Sequence, residues 1–479
     1  MSVGAITSFG SVILNGIEYQ TTNTTISIDG KVASQADLHV GDFIEVHGHH
    51  DPNANQDIAD QIEFRGNVAG PVSAIDTANE TLVVLGQTIV VSAETSFDDS
   101  ISPAGLAGIK VGAVLEISGM RAPDGTIHAT RIEPAAAGAG LQVIGTASAT
   151  DTAAKTLKIN SLTVDFAAAT LVDFPATGPK DGDLVEAIGA TVEASGALKA
   201  TSLELRTGKG VQPVANDNLR LEGLITRFAS PSDFDVAGLH VTTTSNTVFD
   251  GGSATDLALN VSVEIEGSVN SAGVIVAAKV QIRRPADVRI MAQVDAVDTK
   301  AGTLKLLGVQ FSVNYMTRFE DHGDQRIYTF KLSDIHVGDW LEVRGTAAAA
   351  GSGGMVMATR IDRRQHQSTV ELLGPVTAVA RPDFTVLSVN VATTYQTQFN
   401  HGLKADTFFN ASLVGKIARV EGYWDGTTLT ATDVNLGDDD DGGDDHGGGG
   451  NDGGGGDGGG NSGPGNGGGG GGGGGPGPG

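Results

Sequence analysis

Gly41-Asp-Phe-Ile-Glu-Val-His-Gly48 is the stretch that decides the fold, because its pattern returns five more times. The other copies are Gly112-Ala-Val-Leu-Glu-Ile-Ser-Gly119, Gly182-Asp-Leu-Val-Glu-Ala-Ile-Gly189, Asn260-Val-Ser-Val-Glu-Ile-Glu-Gly267, Gly338-Asp-Trp-Leu-Glu-Val-Arg-Gly345 and Gly415-Lys-Ile-Ala-Arg-Val-Glu-Gly422. Their closing glycines lie 71, 70, 78, 78 and 77 residues apart. That period is too long for a solenoid repeat and suits a string of small domains. Strand side chains alternate between two faces, so the fourth and sixth residues of each octapeptide share one. Those pairs, Ile44/Val46, Leu115/Ile117, Val185/Ala187, Val263/Ile265, Leu341/Val343 and Ala418/Val420, are all apolar, which makes that face core. The first position is glycine except at Asn260, a residue that tolerates left-handed backbone. This reads as a turn entering a strand. The closing glycine, present in every copy, marks a backbone that needs positive φ or close approach.

Working outward, each unit reads as strands. In the second, Asn67–Ile75 gives a first strand, and Thr81–Leu85 with Gln87–Val91 forms a hairpin hinged near Gly86. A stretch around Ile101–Val111 is compatible with one or two helical turns. The octapeptide and Gly125–Glu133 then supply the fourth and fifth strands. Three strands, a short helix and two strands is the order of the five-stranded OB-fold. The expected fold class is therefore all-β, a tandem array of six five-stranded OB-like barrels, each with a short helix. Boundaries fall at 1–66, 67–140, 141–210, 217–286, 287–366 and 367–436, with arginine-bearing linkers at 206–217, 283–287 and 363–368. Units of about 70 residues are marginal alone, so neighbours should lean on each other while keeping separate cores.

Residues 437–479 differ in kind, with 27 glycines, eight aspartates and no large apolar residue. Such a segment cannot bury enough surface to fold, and the expectation is a disordered acidic tail. Its aspartates lack the apolar residue that calcium-binding nonapeptides carry, which leaves only weak, diffuse calcium association.

The whole chain has 479 residues, a formal charge of −27 and no cysteine. Missing cysteine removes disulfides, thiol nucleophiles and thiolate metal centres. The acidity argues against nucleic acid as a partner. No stretch approaches the length of a membrane span. Met1–Thr7 has neither the basic head nor the apolar run of a signal peptide, so the expectation is an intracellular protein, one whose export signal was removed, or one exported by another signal. Among these, absent cysteine favours an extracellular, cell-surface or periplasmic location.

The pattern resembles the bacterial family catalogued as domain of unknown function 5666, whose members pair the octapeptide strand with a Gly-x-apolar-x-Ala strand. Here the second element reads Gly125-Thr-Ile-His-Ala129, Gly196-Ala-Leu-Lys-Ala200, Gly354-Met-Val-Met-Ala358 and, with one extra residue, Gly426-Thr-Thr-Leu-Thr-Ala431. The fourth and sixth copies are the degenerate ones. The resemblance implies a small barrel module of exported or envelope-associated proteins and transfers no catalytic residue.

Candidate sites are few. Octapeptide position five holds Glu45, Glu116, Glu186, Glu264 and Glu342, with Arg419 in the sixth copy. Near-identical copies suggest a structural place on the outward face, so Glu342→Gln should be silent. His47, His49, His50 and Asp51 form a cluster in the turn after a strand. With Asp60 they are the candidate ligands for zinc or copper, against the plainer reading of a solvated loop. Tyr423 and Trp424 are a candidate sugar platform, against an aromatic pair capping a hairpin. Trp340 is expected to pack on a barrel or a neighbour. No phosphate loop, Gly-x-Ser-x-Gly or His-Glu-x-x-His motif occurs. The sequence thus favours a non-enzymatic structural, adhesive or assembly protein without cofactor. The alternative is a binder of polysaccharide or divalent metal, and the partners to weigh are self-association and cell-surface polysaccharide.

Overall fold

A computed structural model describes residues 1–136, 138, 140–206, 214–347, 355–399, 405–409 and 413–436. The Gly/Asp-rich segment 437–479, on which the calcium expectation falls, most of the 206–217 linker and Gly354 lie outside the described residues. Nearly every described element is a strand. Among the described residues no helix is long and apolar enough to cross a membrane.

The second repeat shows the unit. Its first strand, Val68–Asp76, pairs with Thr81–Val84, which pairs with Gln87–Val90 through a turn at Leu85 and Gly86, both at positive φ. Two consecutive left-handed residues are what a tight hairpin of this twist requires. Gln87–Val90 then runs parallel to Ile127–Pro134, whose other edge pairs with Val114–Arg121, and that strand pairs back onto Val68–Asp76. The ladder closes on itself into a small five-stranded barrel. The same circuit recurs in the fifth repeat through Val288–Asp298, Thr303–Leu306, Val309–Ser312, Val356–Arg363 and Trp340–Thr346.

The short helix expected in each unit shrinks to much less. The second repeat has a single 3-10 turn at Leu106–Gly108, and comparable turns occur at Gln35–Asp37, Ala254–Asp256 and Leu332–Asp334. Among the described residues the third repeat has none, and the sixth has the four-residue α-helix Ala405–Phe408. In the second repeat Pro103, Gly105 and Gly108 crowd this stretch, and neither residue type sustains a helix.

The octapeptide is explained position by position. All twelve residues at its fourth and sixth positions are buried. The first position has φ between +86° and +92° at Gly41, Gly112, Gly182, Gly338 and Gly415, and +66° at Asn260. Where aspartate follows, its carboxylate accepts the backbone N–H three residues back, from His39 to Asp42, Lys180 to Asp183 and His336 to Asp339. The closing glycine sits at a bulge against the fifth strand in every copy. A Cβ on Gly48, Gly119, Gly189, Gly267, Gly345 or Gly422 would lie 2.1–2.4 Å from a carbonyl oxygen of that strand. Close approach is therefore the reason for this glycine.

Separate cores were the expectation; the sheets instead merge in pairs, while the first and fourth repeats keep separate apolar clusters. One sheet joins the first and fourth repeats, where Ser2–Ala5 runs parallel to Asn218–Ser230. A second joins the second and third, with Val68–Asp76 antiparallel to Leu141–Asp151. A third joins the fifth and sixth, with Val288–Asp298 antiparallel to Val370–Ala380. The physical cause is visible in the first strands. In Val288–Asp298 one edge takes the fourth strand at Val288–Gln293, and the second strand covers the other edge only from Val294 onward. The uncovered edge at Arg289–Met291 is taken by the partner repeat, which satisfies backbone groups an open edge would expose. Continuous apolar clusters then run through the second and third repeats and through the fifth and sixth.

Candidate functional site

His47, His49 and His50 lie on the strand Phe43–Asp51 and not in a turn. Each imidazole has its own carboxylate: His47 Nε2 is 2.7 Å from Glu45, His49 Nδ1 2.9 Å from Asp60 and His50 Nδ1 3.2 Å from Asp57. Asp51 accepts the Asn53 N–H. His49 and His50, being consecutive on a strand, face opposite ways. Tyr423 and Trp424 end the strand Ile417–Trp424 and likewise diverge. Tyr423 is 56% exposed, whereas Trp424 packs against the core of the fifth and sixth repeats. Trp340 is buried, its ring 4.8 Å from that of His366.

Position five is where sequence reasoning failed. Glu186, Glu264 and Glu342 are buried, not outward. The face opposite the barrel core is covered by the seam between repeats and by arginines that end the fifth strands. Arg65 lies 3.1 Å and Arg206 3.9 Å from Glu186, and Arg283 lies 3.1 Å from both Glu222 and Glu264. Arg289, Arg344 and Arg364 all lie within 2.9 Å of Glu342. In the sixth copy the sign is inverted, and Arg419 lies 3.0 Å from Glu371.

The number of guanidinium groups decides each carboxyl's character. Burial raises Glu186 and Glu264, against the pull of their arginines. Burial works the same way on Glu342, but three arginines outweigh it and hold the carboxyl well below the usual range. The second repeat has no arginine after its fifth strand. There burial, with Asp29 and Glu133 nearby, pushes Glu116 up to about 8, and its Oε1 makes no hydrogen bond.

A second charged constellation forms where the fifth repeat meets the first two. Three of its arginines cap three consecutive carbonyls of the second repeat: Arg344 donates to Ala93, Arg318 to Glu94 at 2.7 Å and Arg360 to Thr95 at 2.6 Å. Tyr328 stacks on Phe9 of the first repeat with ring centroids 4.3 Å apart and donates its hydroxyl to the Gln35 and Leu38 carbonyls. The short strand Arg318–Asp321 runs parallel to Val356–Arg363, which sets Glu320 opposite Asp362. Arg360 donates to both of these carboxylates, and Arg131 of the second repeat lies 3.6 Å from Glu320. His322 follows directly and hydrogen-bonds Asp99 of the second repeat. Burial would lower the His322 imidazole, but Glu320 and Asp362 outweigh it and raise it. Arg360, beside Glu320, outweighs the effect of burial and keeps that carboxyl ionised. No local motif announces this site, because Asp99 and His322 are 223 residues apart.

A family model described as a domain of unknown function (DUF5666) matches residues 3–63, 69–133, 222–281, 292–362 and 374–435. The fourth and sixth repeats, which looked degenerate, fall inside matched segments. The third lies between matched segments, yet it closes the same ladder through Leu141–Asp151, Thr156–Ile159, Leu162–Asp165, Leu198–Leu205 and Leu184–Val192. No curated protein matches the chain.

Proposed function

Because the chain belongs to the DUF5666 family, whose description carries no activity, we propose that it is a non-enzymatic structural or assembly protein. Six OB-like barrels, locked in pairs, form its body, and it acts outside the cytoplasm. The observation that carries this reading is how its ionisable groups are used. Glu186, Glu264, Glu342 and Glu371 are buried and matched to arginines at the seams. Groups that an enzyme would hold ready for a substrate are here committed to cohesion. The surface then offers self-association or contact with cell-surface polysaccharide, and the acidic Gly-rich segment 437–479 offers weak calcium association.

Sugar binding through Tyr423 and Trp424 is the weaker alternative, since the two rings do not form one platform. The test is fractionation of the source cells followed by cross-linking of the native protein. Recovery in a surface or periplasmic fraction, cross-linked to itself or to envelope material, supports the reading. A cytosolic monomer that cross-links to nothing overturns it.

A further inference from the structure

His322 is gripped from both sides of its ring. Nδ1 bonds Asp99 of the second repeat. Nε2 is buried, makes no hydrogen bond, and faces Glu320 Oε2 at 3.5 Å and Asp362 Oδ1 at 4.0 Å. One ligand atom from each of Glu320, His322 and Asp362 falls within 4.8 Å of the others. Two donors each about 2.0–2.2 Å from one tetrahedral ion stand roughly 3.5 Å apart. The triangle therefore needs to contract by up to about 1.3 Å. Metal-bound histidines usually give their other ring nitrogen to a carboxylate, which fixes the ring and strengthens the ligand. Asp99 is placed for that role. Imidazole with two carboxylates suits zinc and neighbouring divalent ions.

We propose that Glu320, His322 and Asp362 bind one divalent transition ion of the zinc class, with Asp99 orienting His322 across the boundary between repeats, so that the ion fastens the fifth repeat to the second. Three arginines oppose the ion. Arg360 bonds both carboxylates, Arg131 lies 3.6 Å from Glu320 and Arg364 3.2 Å from Asp362. Arg360 donates to the same oxygens that face His322 Nε2, Asp362 Oδ1 and Glu320 Oε2, so the ion takes the second lone pair of each and competes with the guanidinium for its charge. Affinity is accordingly below that of four-ligand structural zinc sites, and the ion supplements ion pairs that already exist. Binding displaces any proton from His322 and so weakens as pH falls.

The test uses the full chain, stripped with chelator and titrated with cobalt(II) and then zinc chloride. Protein in excess over cobalt(II) should give the intense visible bands of a four- or five-coordinate site, bleached by one equivalent of zinc. Zinc should raise the thermal midpoint. His322→Ala should abolish the bands and the midpoint shift, Asp99→Asn should weaken zinc by about 10–100-fold, and His49→Ala should change neither. Wild-type protein that shows only the pale spectrum of hydrated cobalt overturns the proposal, whatever the variants do. Bands that survive His322→Ala, or that vanish with His49→Ala, overturn it too. Should His322→Ala fail to fold, His322→Gln carries the same comparison.

Discussion

The guanidinium of Arg289 in the fifth repeat lies 3.3 Å from the carboxylate of Glu371 in the sixth. Arg289 also holds Glu342, and Glu371 also holds Arg419. A line of alternating charge thus links the two position-five residues of the pair through the strands that join them.

Removing one member of such a line leaves buried charges with fewer partners. Glu342→Gln should therefore cost about 3–5 kcal/mol, by taking from Arg289, Arg344 and Arg364 the carboxylate they share. Urea denaturation is the measurement, with Glu193→Gln as control. Glu193 pairs with the exposed Lys199 at 3.8 Å, and its change should alter stability by no more than about 0.5 kcal/mol.

Glu371 and Arg419 should be strongly coupled. In a double-mutant cycle to alanine, the pair should lose about 1–3 kcal/mol less than the sum of the single losses. Additivity within about 0.5 kcal/mol would mean that the seam does not depend on this contact.

Glu116 should give the body a pH dependence of its own. Burial, with Asp29 and Glu133 nearby, pushes its carboxyl up to about 8, so the folded state keeps a proton that the unfolded chain releases at its ordinary value. The stability tied to this group is complete below the ordinary carboxyl range. It is lost as pH rises from there through about 8, at about 1.4 kcal/mol for each unit of difference. Glu116→Gln keeps the neutral shape. It should remove that loss, raising stability at about pH 9 relative to wild type and leaving it unchanged at about pH 4, as read from urea midpoints.

Gly345→Ala should destabilise the fifth repeat by more than about 2 kcal/mol, because the new methyl would meet the Met357 carbonyl oxygen at 2.4 Å. Gly10→Ala should cost under about 1 kcal/mol. Its nearest obstacle is the flexible Glu18 carboxylate at 3.1 Å. Equal midpoint losses in the two variants would show that the bulge does not depend on glycine.

Alternation within the octapeptide exposed the barrel core, and the turn glycines marked the strand entrances. Both are local features, repeated in every copy. The seams escaped because a strand's second face is polar whether it meets water or a matched ion. Glu342 and a solvated glutamate look alike in sequence. A signal did exist: Arg65, Arg206, Arg283 and Arg364 close fifth strands, the second repeat lacks such an arginine, and the sixth inverts the sign at Arg419. Read as linkers, those arginines lost their meaning. His322 had no comparable signal: Glu320 lies two residues away, but Asp99 comes from a different repeat and Asp362 from a strand 40 residues on.

The partnership of the first repeat with the fourth has a consequence for synthesis. The Ala5 N–H donates to Glu222, 217 residues further along. At translation rates of about 5–20 residues per second, that interval lasts roughly 10–40 s. The second and third repeats can complete their common sheet during it, being neighbours in the chain. The first repeat meanwhile presents the free edge of Ser2–Ala5 to the cell. On a crowded polysome, the nearest fourth repeat can belong to another nascent chain. Exchange of that strand between chains is the assembly error this topology invites, and it is also a direct route from monomer to intertwined oligomer.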